Sequence, residues 1–182
     1  MRPVQVVGIG GGSAAGKSTL ARRVTARQSG AALLSLDDYF RTDREAGPFT
    51  APDAAGVRHF DLNHPDAVDW SRVHAALEDH RRCGTALLIV EGTFALVSPD
   101  LRGRMTLRVF LAAPEDLRLE RKAARNLAER GVPPEVTRRN HALSARPGFR
   151  QFVAGSAAHA DLILNGEEDP DGNARILLER LR

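Results

Sequence analysis

Four short groups of residues carry chemistry that a fold alone does not require. Gly11-Gly12-Ser13-Ala14-Ala15-Gly16-Lys17-Ser18 fits the pattern G-x-x-x-x-G-K-[ST], and Thr19 follows it. Glycines at this spacing let the backbone turn and bring its N–H groups close to phosphate oxygens. Lys17 adds a point charge for the β- and γ-phosphates, and the Ser18 hydroxyl is a hard oxygen ligand suited to Mg²⁺. The pair Asp37-Asp38 supplies carboxylates able to orient a hydroxyl and take its proton. Glu91 supplies an acid able to hold Mg²⁺-bound water. Arg118, Arg121 and Arg125, spaced by three and four, fall on one helix face and can offset phosphate charge. The chemistry expected is binding of a nucleoside triphosphate with Mg²⁺ and movement of its terminal phosphoryl group.

The elements around these residues set where they stand. Val4–Ile9 is short, apolar and β-branched, as a buried parallel strand is. Gly10–Gly16 breaks regular structure, and Lys17–Gln28 resumes as a helix with Leu20, Ala21 and Val24 on one face. Ala32–Leu36 reads as a second strand that stops at Asp37-Asp38. Thr42–Asn63, with Gly47, Pro48, Pro52 and Gly56, reads as a long functional loop. A helix is expected over Asp66–Arg82, strands over Ala86–Val90, Thr106–Leu111 and Asp161–Leu164, and helices over Pro114–Arg130, Pro134–Ser144 and Asn173–Leu181. Alternating strands and helices predict an α/β fold: three layers, a five-stranded parallel sheet, helices on both faces. In such sheets ligands gather at the carboxyl ends of the strands. The phosphate loop, Asp37-Asp38 and Glu91 each follow a strand. The expectation is one domain over residues 1–182, with a helical lid at about 118–150.

Composition narrows the class further. The chain is 42% hydrophobic and 27% charged, ordinary for a globular protein. Apolar runs such as Ala86–Val90 fall far short of the roughly 20 residues of a membrane span. The start, Val4-Gln5-Val6-Val7, lacks the build of a secretory leader. With a single Cys83, the expected setting is cytoplasmic and no membrane is expected as a partner. Of the 26 basic residues only Lys17 and Lys122 are lysines, the rest being arginines interleaved with acids. Nucleic-acid binding needs a continuous basic face, and at 5% aromatic content a stacking surface is lacking too, so no nucleic-acid partner is expected. The six histidines are scattered, while Trp70 and Met105 read as core. No Asn-Lys-x-Asp selects guanine. The Asp-x-x-Gly matches at Asp53–Gly56, Asp100–Gly103 and Asp169–Gly172 are too scattered to mark a switch GTPase.

The remaining pattern resembles the uridine kinase and phosphoribulokinase-like group of P-loop kinases, which includes nicotinamide riboside kinases and pantothenate kinases. Gly11–Thr19 resembles its nucleotide loop, the Walker A motif. Leu34-Ser35-Leu36-Asp37-Asp38-Tyr39-Phe40 resembles the segment whose first Asp is the catalytic base, which selects Asp37. The resemblance puts Tyr39 or Phe40 beside the acceptor. Asn63-His64-Pro65-Asp66-Ala67 resembles a stretch in which an Asp before the His binds ribose; here that slot is Asn63, or Asp61 after an insertion. Val90-Glu91-Gly92, Arg121 and Arg125 of the lid, Glu129-Arg130-Gly131, Arg146–Phe149 and Ala160–Ile163 are similar to later family segments. Two departures stand out. Arg81–Thr85 replaces the hairpin with which uridine kinases grip the base, and Asn126 stands where an acid usually follows the lid arginine. Asp37-Asp38-Tyr39-Phe40 is closer to the Asp-Asp-Phe-Phe of nicotinamide riboside kinases.

The resemblance implies ATP and Mg²⁺ as cofactors, Asp37, Lys17, Arg121 and Arg125 as catalytic residues, and Ser18 and Glu91 at the metal. It implies Tyr39, Asp61 and Asn63 at a small-molecule acceptor and an ATP-dependent phosphotransferase acting on a nucleoside hydroxyl. Nicotinamide riboside, pantothenate or a sugar is the alternative acceptor. A nucleotide-dependent switch is the rival from another class.

Overall fold

The computed structural model describes residues 4–52 and 55–181. Asp53, which opens one Asp-x-x-Gly match, lies outside them. The strands are β1 (Gln5–Gly10), β2 (Ala31–Ser35), β3 (Leu87–Glu91), β4 (Leu107–Ala112) and β5 (Leu162–Asn165). They form one sheet in the order β2-β3-β1-β4-β5, every neighbouring pair parallel. The helices are α1 (Lys17–Ala26), α2 (Trp70–Arg82), α3 (Pro99–Arg102), α4 (Glu115–Arg130), α5 (Pro134–Asn140), α6 (Arg146–Gly148) and α7 (Pro170–Arg180).

Successive strand residues point to opposite faces, and here both faces are covered. Val6, Leu34, Leu88 and Val90 pack with Val73 and Leu77 of α2 and with Phe94, Leu96 and Leu101. Val7, Ile9, Ile89 and Val109 pack with Leu20 and Val24 of α1 and with Ala174 and Leu177 of α7. The sheet is thus the middle of three layers. Each fully buried large apolar side chain contributes roughly 1.5–3 kcal/mol. No helix among the described residues is long and apolar enough to cross a membrane.

The strand expectations agree with the structure to within a residue or two, and three helix expectations change; the closing helix begins at Pro170 rather than Asn173, capped by Asp169. The second helix begins at Trp70, not Asp66. Pro65–Ala67 forms a 3₁₀ turn, Val68 is extended and bridges Phe40, and Asp69 then caps α2 by accepting from the Arg72 N–H. The helical stretch expected to end at Ser144 continues as far as His159. It passes through α5, a π turn at His141–Ala145, α6, a second π turn at Phe149–Val153 and a 3₁₀ turn at Ala154–His159. Pro147 removes a donor from the ladder, and the two π turns flank it. The short helix α3, capped by the Ser98 hydroxyl, carried no periodic signal long enough to read.

Candidate active site

The phosphate loop runs from the end of β1 into α1 with backbone that only certain residues accept. Gly11 has φ 137, and a Cβ there would lie 2.4 Å from the Leu111 carbonyl oxygen. Gly16, just before α1, has φ 105, so the first turn of the helix directs its N–H groups into the cleft. Ala14 also has positive φ, at 62, an uncommon conformation for a side-chain-bearing residue. Lys17 is buried and its Nζ donates to the Gly12 carbonyl at 2.9 Å. Burial draws its pKa down to about 8, against the opposing pull of Glu91 and then Asp37.

Strand register builds the next part of the site. Glu91 ends β3 opposite Ser35 of β2 and Ile9 of β1. Its carboxylate is only 3% exposed, and its Oε1 accepts from the Ser18 hydroxyl at 3.0 Å and the Ser35 hydroxyl at 2.8 Å. A buried acid costs free energy unless hydrogen-bonded, and the two hydroxyls provide that. Ser18 and Glu91 are oxygen donors, as Mg²⁺ prefers. Among the described residues no group of three or more His, Cys, Asp or Glu could cage a metal. Two protein oxygens fit a cation that takes its other ligands from water and phosphate.

Two cavities open on this edge. The outer edge of the loop borders one of about 760 Å³, walled by Ser13, Ala14, Gly16–Thr19, Ser35, Glu91, Arg121 and the 166–170 segment. A smaller one of about 210 Å³ is walled by Phe40, Asn63, Phe94, Arg118, Asn126 and Phe149. Ser13, Asp37, Thr93, Arg125 and Arg130 line both. Asp37 is exposed in that shared wall.

Tyr39 departs from the expectation: it lines neither of these cavities. Leu36–Tyr39 is a 3₁₀ turn, in which positions three apart eclipse. Leu36 is buried, so Tyr39 shares its core-facing side, and Arg72 lies over its ring at 5.4 Å. Asp37 and Phe40 share the other side and reach the smaller cavity. Asp61 also stands back from that cavity. Its Oδ1 accepts from the Asn63 N–H at 2.9 Å and the Ser144 hydroxyl at 2.9 Å. The Asn63 side-chain amide donates to Ser144 at 2.7 Å, so Asp61 braces Asn63, which does line the cavity.

The arginine row divides between the cavities. Arg118 is buried, donates to the Ala113 carbonyl at 3.1 Å, and stacks 4.3 Å from the Phe149 ring centroid. A Cβ on Gly12 would lie 2.4 Å from its guanidinium, so the loop and α4 touch there. Arg121 donates to the Gly166 carbonyl at 2.9 Å and faces the larger cavity. Arg125 faces both. Ser35, Thr93, Lys122, His141 and Ser144 join the site without having been singled out as site residues. Ser35 and Thr93 are ordinary residues that only the register places; Ser144 and His141 lie in the segment past α5.

A profile of the Phosphoribulokinase / Uridine kinase family matches residues 74–171. The chain belongs to that family. The match starts beyond the phosphate loop, so loop and family membership are separate observations that agree. Among relatives in sequence, a uridine kinase of Deinococcus deserti is 32% identical over 87% of this chain and 86% of its own length. Uridine-cytidine kinase B of Dictyostelium discoideum is 27% identical over 87% of this chain and 73% of its own. Shikimate kinase from Acinetobacter baumannii shares the fold, at TM-score 0.57 and 18% identity, over 98% of this chain and 93% of that one.

Proposed function

We propose that this member of the Phosphoribulokinase / Uridine kinase family is an ATP-dependent nucleoside kinase, working in the cytoplasm with Mg²⁺. One observation carries the reading: Asp37 stands in the wall common to the cavity over the phosphate loop and the smaller cavity beside it. A phosphotransferase needs a carboxylate at that junction and a non-enzymatic nucleotide switch does not. The sequence relatives named for uridine and cytidine supply the acceptor class.

In this reading the loop N–H groups and Lys17 hold the triphosphate in the larger cavity. Ser18 and Glu91 would hold Mg²⁺, which when bound would offset negative charge on the triphosphate. Asp37 orients the acceptor hydroxyl and takes its proton as oxygen bonds to the γ-phosphorus. The bond from that phosphorus to the β-phosphate oxygen breaks, and ADP leaves with the electron pair. Arg125, facing both cavities, and Arg121 stabilise the charge spread over the transferring group. Asn63 and Phe40 hold the acceptor, while α4 and the helical segment after it act as the lid. The exposed, unpaired Cys83 suits a reducing compartment.

The test is ADP release with uridine, cytidine, adenosine, nicotinamide riboside, pantothenate and simple sugars, for the wild type and Asp37→Asn. A nucleoside should accelerate release, and Asp37→Asn should lower kcat about 10²- to 10⁴-fold with ATP binding within a few-fold. Slow hydrolysis that no alcohol accelerates would favour the switch instead.

A further inference from the structure

Thr93 lines both cavities and has no part in the reaction as drawn so far. From Leu87 to Leu96, along β3 and the turn after it, every residue is buried except Thr93. The surface that Thr93 keeps faces the two cavities. The chain on either side is fixed. A Cβ on Gly92 would lie 2.6 Å from that of Leu36, so the strand passes close to the 36–39 turn there. The Gly92 carbonyl accepts from the Ala95 N–H at 3.2 Å, and the Phe94 carbonyl accepts from the Val97 N–H at 2.9 Å. Phe94, Ala95 and Leu96 then enter the core. A β-branched side chain is stiff at χ1, so this backbone also holds the hydroxyl in place.

That hydroxyl has no hydrogen-bond partner among the described residues, and its oxygen is not sealed from the cavities. Other hydroxyls in half-buried or buried places are satisfied within the chain. Thr106 donates to the Val6 carbonyl at 2.9 Å, and Ser156 to the Val153 carbonyl at 2.7 Å. A polar group left unpaired in apolar surroundings costs free energy, so the partner of Thr93 has to come from the cavity. A side chain lining one cavity would touch one substrate. Thr93 lines both, in the same wall as Asp37 and Arg125, where the transferred group passes. Donors fixed in advance toward developing charge need no reorganisation at the moment of reaction.

We propose that Thr93 is a catalytic residue whose hydroxyl donates to a non-bridging oxygen of the γ-phosphoryl group as that group passes from nucleotide to acceptor. The proposal rests on the kinase reading of this site. The hydroxyl keeps its proton and no covalent bond to it forms or breaks; Asp37 remains the base. The contact belongs to the group in transit, so neither ATP nor the acceptor depends on it for ground-state binding.

The experiment compares the wild type with Thr93→Val, which keeps the branched shape without the hydroxyl, and Thr93→Ser, which keeps the hydroxyl. Rates are measured with ATP and the alcohol that most accelerates ADP release in the wild type. Thr93→Val should lower kcat and kcat/KM together, about 10- to 100-fold, with both KM values within a few-fold, as loss of a contact made only in the transition state does. Thr93→Ser should stay within a few-fold of wild type. Should the valine variant not fold, Thr93→Ala carries the same expectation. Binding gives a second readout: ADP with aluminium fluoride and the acceptor, which mimics the group in transit, should bind Thr93→Val more weakly by the same factor, while ATP binds as before. An unchanged kcat in Thr93→Val, a raised KM for one substrate at unchanged kcat, or an equal loss in Thr93→Ser overturns the proposal and leaves the kinase standing. Turnover of no acceptor by the wild type overturns both.

Discussion

Lys17 is charged in the unfolded chain up to its ordinary pKa of 10.5, but buried in the fold it loses its proton near pH 8. Below about pH 8 both states are charged, and burial of the ammonium costs stability in full. Between about pH 8 and 10.5 the unfolded chain binds more protons, so stability rises with pH over that window. A triphosphate reverses the preference, because only the ammonium pairs with it. ATP affinity should therefore be full below about pH 8 and weaken above it. Calorimetry in buffers of different ionisation enthalpy should find close to one proton taken up with ATP at about pH 9 and close to none at about pH 7. Equal uptake at both would remove Lys17 from triphosphate binding. At this scale the sequence was most informative where function fixes both type and spacing, as in Gly11–Thr19. It was least informative where local geometry decides orientation: both aromatics pack against the core, but after the four residues of 3₁₀ turn only Phe40, and not Tyr39, lines the smaller cavity.

The strands were legible because a strand buried on both faces is a short continuous apolar run, as Leu87–Val90 is. The 134–159 segment was not. Pro147-Gly148 reads as a stop, and only the widened π turns around it let a helical path continue. Gly148 shows what that path is for. Its φ of −61 is ordinary helix, so alanine would gain about 1 kcal/mol in propensity there. A Cβ would nevertheless lie 2.6 Å from the Asn63 carbonyl oxygen and 2.8 Å from the Asn63 Cβ. Backbone cannot yield as a flexible side chain does, and overpacking costs about 1–3 kcal/mol. Gly148→Ala should lower Tm and raise the acceptor KM, with the KM for ATP less affected. A higher Tm with unchanged acceptor KM would mean that the contact between this segment and the 42–63 loop is slack.

For the whole molecule, a ligand that binds only the folded state stabilises it by mass action. At about 100 times its Kd, MgATP adds about 2.7 kcal/mol, which for a chain of this size is a Tm rise of roughly 5–10 °C. Removing the cation with a chelator should reduce that rise markedly in the wild type and hardly at all in Glu91→Ala. An equal rise with and without chelator in the wild type would show that Ser18 and Glu91 hold no metal. The three-layer architecture was readable from the alternation of elements, while the order β2-β3-β1-β4-β5 emerges only from the pairing. That order sets the ends of β1, β2 and β3 side by side, so the phosphate loop, Asp37 and Glu91 meet at one edge of the sheet. The walls of the smaller cavity come largely from residues 40–63 and 118–153, outside the sheet. Because residues 40–63 line the smaller cavity and not the one over the phosphate loop, that strap can vary while the nucleotide side is left untouched. Substitutions there should alter which alcohol is chosen, whereas a change in α4, whose arginines face both cavities, should be felt by both partners of the reaction.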